Sequence, residues 1–286
     1  MARDLHVKQH SIVAAFGLAL SIASMGTAHA DDGPPAGWVG PPPGWSGGIL
    51  AGVAAVPEFE GSKNTRAQPV LGGDVYYRPG VGGSLAIGSR GLVLTPWQAS
   101  AGSVSVGLSV DPGRVDDSER KLTPAGLRPG SADLRGMGEV KMTALVSASA
   151  SLAIGPASLT GTLRQAVSSH RGTLVEMGIA APLKLHRHAT LTVTPGLTWA
   201  DRRHTQAYFG VTAAQSAASG YAAFDARAGV KSRHLVLDFD MALSRWWYVN
   251  VMLRGARLDG DAAESPITQR TRQLSGMLAA RYQFQL

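Results

Sequence analysis

The chain ends in Ser275-Gly276-Met277-Leu278-Ala279-Ala280-Arg281-Tyr282-Gln283-Phe284-Gln285-Leu286. Alternate residues place Gly276, Leu278, Ala280, Tyr282, Phe284 and Leu286 on one face, and Ser275, Met277, Ala279, Arg281, Gln283 and Gln285 on the other. Successive side chains of a strand point to opposite sides, so one face suits lipid and the other water. An apolar, aromatic-tipped face opposite a polar one is what the closing strand of a membrane β-barrel requires. An amphipathic strand of a soluble sandwich meets the same requirement, so the decision falls to the rest of the chain.

The pattern recurs. In Ala189 to Trp199, residues Leu191, Val193, Pro195, Leu197 and Trp199 oppose Thr190, Thr192, Thr194, Gly196 and Thr198. In Leu235 to Leu243, Asp238 and Asp240 share the inward face. Mid-strand carboxylates fit a polar lumen, whereas a sandwich core would charge each a large desolvation penalty, although a sandwich with this face in solvent meets the pattern as well. Trp247 to Leu253 turns Tyr248, Asn250, Met252 and the following Arg254 inward. Val175 to Leu183 turns Glu176 inward, and Ala157 to Val167 does the same with Thr160, Thr162 and Arg164. Val104 to Val110 alternates as well, with weaker candidates near 48–57, 67–77, 82–88, 91–97, 136–150 and 221–231. The reading is an all-β, transmembrane, antiparallel up-and-down barrel of about twelve strands.

Composition narrows the setting. Arg3 and Lys8 precede an apolar run from Ile12 to Ala23 and a small-residue site ending Ala28-His29-Ala30, the form of a secretory signal peptide over residues 1–30. That run is shorter than the ~20 residues that span a bilayer as a helix, and no later apolar run reaches that length. Residues 31–46 read as a Pro/Gly-rich periplasmic leader, and 47–286 as an outer-membrane barrel of a Gram-negative cell. There is no Cys, which removes disulfide and thiolate chemistry. Without Arg3, Lys8 and Asp4, the 27 basic and 20 acidic residues become 25 and 19, a formal charge of +6. The basic residues are scattered without an aromatic platform, so nucleic acid is a poor partner, while anionic lipid head groups, sugars or solutes suit them.

Connections sort by length. Arg78-Pro79-Gly80, Gly155-Pro156, His186-Arg187-His188 and Ser232-Arg233 read as short turns, and 111–135, 201–220 and 259–272 as long loops. Short turns on one side and long loops on the other are the habit of outer-membrane barrels. The alternation does not close: a short connection at Ser244-Arg245 conflicts with long loops at both 201–220 and 259–272, which places a missed or split strand near 204–231.

Several loop-edge phrases carry a resemblance. Tyr208-Phe209-Gly210-Val211-Thr212, with Ala214-Gln215 and Ser219-Gly220, is similar to a signature of the MltA-interacting protein family, also called MipA/OmpV. So is the segment from Leu258 through Asp261 and Glu264 to Ser265-Pro266-Ile267. Weaker agreement comes from Pro57 to Ser62, Leu134 to Gly138 and Ser169 to Gly172. The chain departs from the family pattern at Phe59 and Phe224, where Tyr is favoured, in its Pro-rich leader, and at Leu286, where the family ends in Phe. Leu286→Phe is therefore expected to raise membrane yield. The resemblance implies a non-enzymatic outer-membrane barrel that links a murein lytic transglycosylase and a murein synthase, or that serves as a surface adhesin.

Candidate chemistry stays modest. Arg164, Glu176, Asp238, Asp240, Arg254 and Arg281 are the expected lumen-lining residues, able either to line a narrow porin-like channel for small solutes or to pair with one another and plug the barrel. Tyr208, Phe209, Asp261, Ser265 and Pro266 are candidates for a protein-partner contact, or for a packed lid over the mouth. Tyr282, Phe284 and Leu286 mark the barrel-closing strand at the periplasmic interface. His186 and His188 flank Arg187 in a turn with no third ligand at a recognisable spacing, so no metal site is expected. Ser168, Ser169 and His170 hold hydrolase materials, yet a polar turn explains them without catalysis. Nothing in the sequence requires a cofactor. Outer-membrane lipid and lipopolysaccharide are the expected surroundings.

Overall fold

The structure, a computed structural model, describes residues 43–79, 83–89, 91–117, 122–123, 126–127, 129–167 and 172–285. The expected signal peptide, residues 31–42 of the expected leader, Ser168 to His170 and Leu286 lie outside the described residues. Twelve antiparallel strands close a barrel. In chain order they are β1 (Gly44–Pro57), β2 (Thr65–Arg78), β3 (Ser84–Gly88), β4 (Gly91–Ala99), β5 (Gly102–Asp111), β8 (Thr143–Ile154), β9 (Ala157–Ala166), β10 (Thr173–His186), β11 (Ala189–Ala200), β12 (Gly229–Ala242), β13 (Trp247–Leu258) and β14 (Arg272–Gln285). A separate pair, β6 (Leu122–Thr123) and β7 (Gly126–Leu127), sits in the connection between β5 and β8.

Each barrel strand pairs with its sequence neighbour in the ring, and β14 returns to β1 from Ser46 opposite Gln285 to Ala55 opposite Gly276. Parity decides the two surfaces. On β14, Leu274 and Leu278 are 68% and 52% exposed, whereas Met277 and Ala279 are 3% and 2%. Leucine, valine and isoleucine on the outer face of nearly every other strand are likewise exposed, an apolar band that water would penalise and lipid hydrocarbon accepts. Aromatic pairs lie at one end of this band: Trp45 beside Tyr77 at 4.6 Å and Trp247 beside Tyr282 at 5.2 Å between ring centroids.

β1 starts at Gly44, three residues before the Gly47 read from composition, because Trp45 and Ser46 pair with Tyr77 and Tyr76. The conflict in loop alternation also resolves. Residues 221–228 are not strand, and β12 runs unbroken through Ser232 and Arg233, so that pair is no turn. The register of β11 against β12 shifts between Thr198 and Trp199. Lys231 and Ser232 are consecutive and both buried. Such a bulge reverses parity within one strand, and a strict period of two then reads one strand as two. The segment 136–142 is loop as well, with β8 beginning at Thr143.

All connections now alternate. One end of the barrel has only the short links 79–83, 100–101, 155–156, 187–188 and 243–246, and we call it the turn end. The other, the loop end, carries the short links 89–90 and 167–172 and the longer 58–64, 112–142, 201–228 and 259–271. The last two hold helices α1 (Arg202–Phe209), α2 (Ala213–Ser219) and α3 (Gly260–Glu264). Two of these have caps visible in the sequence. The Asp201 side chain accepts from the His204 N–H at 2.8 Å, and Thr212 with Gln215 forms a capping box.

Candidate functional site

The barrel interior is layered. Toward the loop end, Arg164 of β9 donates to Glu176 of β10 at 3.2 Å, and His234 of β12 places Nε2 3.2 Å from the second Glu176 oxygen. β11 lies between β10 and β12, and its residue opposite His234 is Gly196. A Cβ on Gly196 would come within 2.5 Å of the imidazole. Glycine therefore leaves the space through which His234 crosses a strand to reach its partner. Gly196→Val is expected to push His234 off Glu176 and cost about 1–3 kcal/mol of stability, as overpacking does, read as an earlier loss of the heat-modifiable folded band. An unchanged band would show that the imidazole relocates freely.

Arg254 of β13 is buried in the same layer, where no acceptor meets its Nε or Nη2. Burial works against its charge, and the Glu176 and Glu60 carboxylates offset part of that across the interior. Lys231, also buried, donates to Glu60 of the first loop at 3.0 Å. Toward the turn end, Arg281 of β14 donates to Asp74 of β2 at 3.0 Å, passing over β1 at Gly48. A Gly48 Cβ would lie 2.6 Å from that guanidinium, so the same device recurs at the seam. Asn250 donates through Nδ2 to Asp238 and to Asp240, the latter at 3.0 Å.

Between these two polar layers lies an apolar one. Leu50, Ala54, Val56, Val70, Val236, Met252, Met277 and Ala279 form one buried cluster. Val236 separates His234 from Asp238 on β12, and Met252 separates Arg254 from Asn250 on β13. The opposite wall is made of small hydroxyls that bond to one another, Thr95 with Ser105, Ser103 with Ser151 and Thr162 with Ser149. All six expected lumen residues point inward. The two aspartates are half-buried, and the other four are buried. Asp74, His234, Asn250, Lys231 and Glu60 complete their pairs and were not singled out from the sequence. Asn250 had the right parity, but only tertiary contact shows which inward residues meet.

Over the loop end, four connections pack into a cover. Phe59, Leu134, Met137, Val211 and Ile267 form one buried cluster, with Tyr221 and Phe224 against it. Val140, Tyr208, Phe209, Leu258 and Ala262 form a second. Polar groups tie the loops together. Arg114 donates to the Tyr208 carbonyl at 2.7 Å, the Tyr208 hydroxyl to Asp111, and Ser265 to the Phe209 carbonyl. The backbone N–H groups of Gln269 and Arg270 both donate to Gly61 O. Of the five candidate contact residues, Tyr208, Phe209 and Ser265 are buried inside this cover, while Asp261 and Pro266 reach its surface.

Ion pairs edge the cover. Arg227 donates to Asp261 through its backbone N–H at 2.7 Å and through its side chain, and Arg233 pairs with Asp259 at 2.8 Å. These hydrogen bonds hold both aspartates below the usual carboxylate range. A lowered folded pKa gives stability that is complete above the unfolded value of about 4 and fades as pH falls through the folded one. Hydrogen exchange in 259–271 is thus expected to be steady from neutrality to about pH 5 and to accelerate, after intrinsic correction, only below about 4. Acceleration near neutrality would mean that other groups hold the loop.

No three His, Asp or Glu side chains converge as a metal site among the described residues. His186 and His188 lie at a turn tip with ring centroids 5.8 Å apart.

The model of the family described as MltA-interacting protein MipA matches residues 49–284. The chain belongs to this family. The match runs from within β1 to within β14 and takes in every interior charge described above. The phrases that carry the MipA resemblance are largely the inside of the cover, since Phe59, Leu134, Met137, Tyr208, Phe209, Val211, Leu258 and Ile267 all belong to its two clusters. With the closed ring and its apolar outer face, membership makes this an outer-membrane β-barrel protein. No curated protein matches the chain. Solved structures with a similar course include outer-membrane expressed OmpT of Vibrio cholerae, at 9% identity and TM-score 0.37 over 84% of this chain and 97% of that one. An outer membrane channel from Pseudomonas putida F1 has 10% identity and TM-score 0.42 over 88% and 100%. The outer membrane channel DcaP of Acinetobacter baumannii has 9% identity and TM-score 0.38 over 84% and 98%.

Proposed function

We propose that the protein is a non-enzymatic outer-membrane barrel that works as a scaffold, holding murein-remodelling enzymes at the membrane, with the MltA of the family name as the first partner. The observation that carries this reading is the interior of the barrel: inward charges paired across strands, an apolar cluster on the side of β1, β2 and β12 to β14, and a packed cover over the loop end. Such a body provides a rigid anchor and leaves its polar groups committed to structure. In this reading Tyr208, Phe209 and Ser265 hold the cover rather than touch a partner.

Pull-down of the protein from crosslinked cell envelopes is expected to recover a murein lytic transglycosylase together with a murein synthase. Recovery of neither, under conditions that retain the barrel, would overturn the scaffold. Planar-bilayer recordings are expected to stay silent, because the packed cover closes over the loop end. Steady single-channel steps would favour the narrow-channel reading instead.

A further inference from the structure

The turn end carries a charge pattern that neither the interior nor the cover explains. Among the described residues no Asp or Glu lies in any of its five connections, and the nearest carboxylates, Asp74, Asp238 and Asp240, face the interior. Every other acidic side chain of the described residues, apart from the interior Glu176, belongs to the loop end. The turn end instead presents Arg78, Lys184, His186, Arg187, His188 and Arg245, of which all but the half-buried Arg78 are exposed.

Their height is fixed by what precedes them. Leu183 and Leu185 are exposed on the lipid face directly before His186, and Leu243 directly before Ser244-Arg245. Arg78 follows the Tyr77 whose ring lies tilted against Trp45. Arg245 sits 4.4 Å over the Trp246 ring, next to the Trp247–Tyr282 pair. Aromatic side chains at the end of an apolar band mark the membrane–water boundary. Arg187 and Arg245, on the turns themselves, therefore stand at the level of lipid phosphates, with Arg78 and Lys184 beside them at the barrel mouth, on the faces opposite Tyr77 and Leu183.

We propose that this rim binds the phosphates of anionic phospholipids in the leaflet that borders the turn end. Lys and Arg side chains held at an anionic membrane surface attract it additively, and salt weakens the attraction within a Debye length. The proposal does not depend on the scaffold reading. Vesicle experiments test it without any murein enzyme, so either can fail alone.

The test measures how strongly spin-labelled phosphatidylglycerol, relative to spin-labelled phosphatidylcholine, associates with the folded full chain in phosphatidylcholine vesicles. The native protein is expected to favour phosphatidylglycerol several-fold at low salt and less at high salt. The combined variant Arg78→Gln, Lys184→Gln, Arg187→Gln, Arg245→Gln is expected to lose the preference. A loop-end variant removing equal charge, Lys63→Gln, Arg135→Gln, Lys141→Gln, Arg203→Gln, is expected to keep it. Absence of any preference in the native protein overturns the proposal, as does a preference that survives the turn-end variant or that the loop-end variant abolishes equally. Should the combined variant not fold, Arg187→Gln and Arg245→Gln singly, at exposed turn positions, are each expected to lower the preference. No change in either is equally fatal to it.

Discussion

Phe209→Ala is expected to unseat the loop cover while leaving the ring of strands closed. Phe209 has no exposed surface and packs with Tyr208, Val140, Leu258 and Ala262, which come from three different connections and the end of β13. Truncating a buried Phe to Ala removes about 3–5 kcal/mol, part as lost transfer free energy and part as a cavity. A cover of short helices and turns opens locally at less cost than the ring, whose strands are paired on both sides, so the loss falls on the cover. Trypsin added to intact proteoliposomes should then cleave faster after Arg202, Arg203 or Arg227, exposed side chains whose backbone is held by α1 and by the bond to Asp261, while the protein still migrates as a folded barrel without boiling. Unfolded migration would mean that the cover is part of the cooperative core. Unchanged proteolysis would mean that Phe209 does not hold it.

Glu176→Ala is expected to destabilise the barrel itself. Glu176 is buried and meets Arg164 on one oxygen and His234 on the other, and its charge also acts on Arg254. Removing it takes away the carboxylate that Arg164 and His234 both meet and one of the two that act on Arg254. Breaking a buried pair by deleting one member costs about 3–5 kcal/mol, because the remaining charge is neither solvated nor paired. The folded yield and the temperature at which the folded band disappears should both drop. The double variant Glu176→Leu with Arg164→Met, which removes both charges, should recover much of the loss. A double-mutant cycle showing simple additivity would refute the coupling between the two residues.

How much of this was legible beforehand depends on the range of the physics. Leu278 exposed and Met277 buried could be read from position alone, because alternation is a property of the strand backbone. The inward sense of Arg164, Glu176, Asp238, Asp240, Arg254 and Arg281 followed for the same reason. The split reading of β12 failed where local parity itself changes, at the bulge beside Thr198, since no residue type announces such a bulge. Helices α1 and α2 did carry local signals, Asp201 before His204 and Thr212 before Gln215, but their runs are too short for helical periodicity to compete.

The sequence by itself determined which side of each strand meets lipid, that the strands form a membrane barrel, and, through its loop-edge phrases, the family. Tertiary structure alone decided which inward charges meet. Asp74 and Arg281 are 207 residues apart and pair only because β14 closes on β1, with Gly48 leaving room between them. The cover likewise draws Phe59, Leu134, Val211 and Ile267 together from four connections. Alternation is set residue by residue, whereas pairing across a ring is set by closure, and closure is a property of the whole chain.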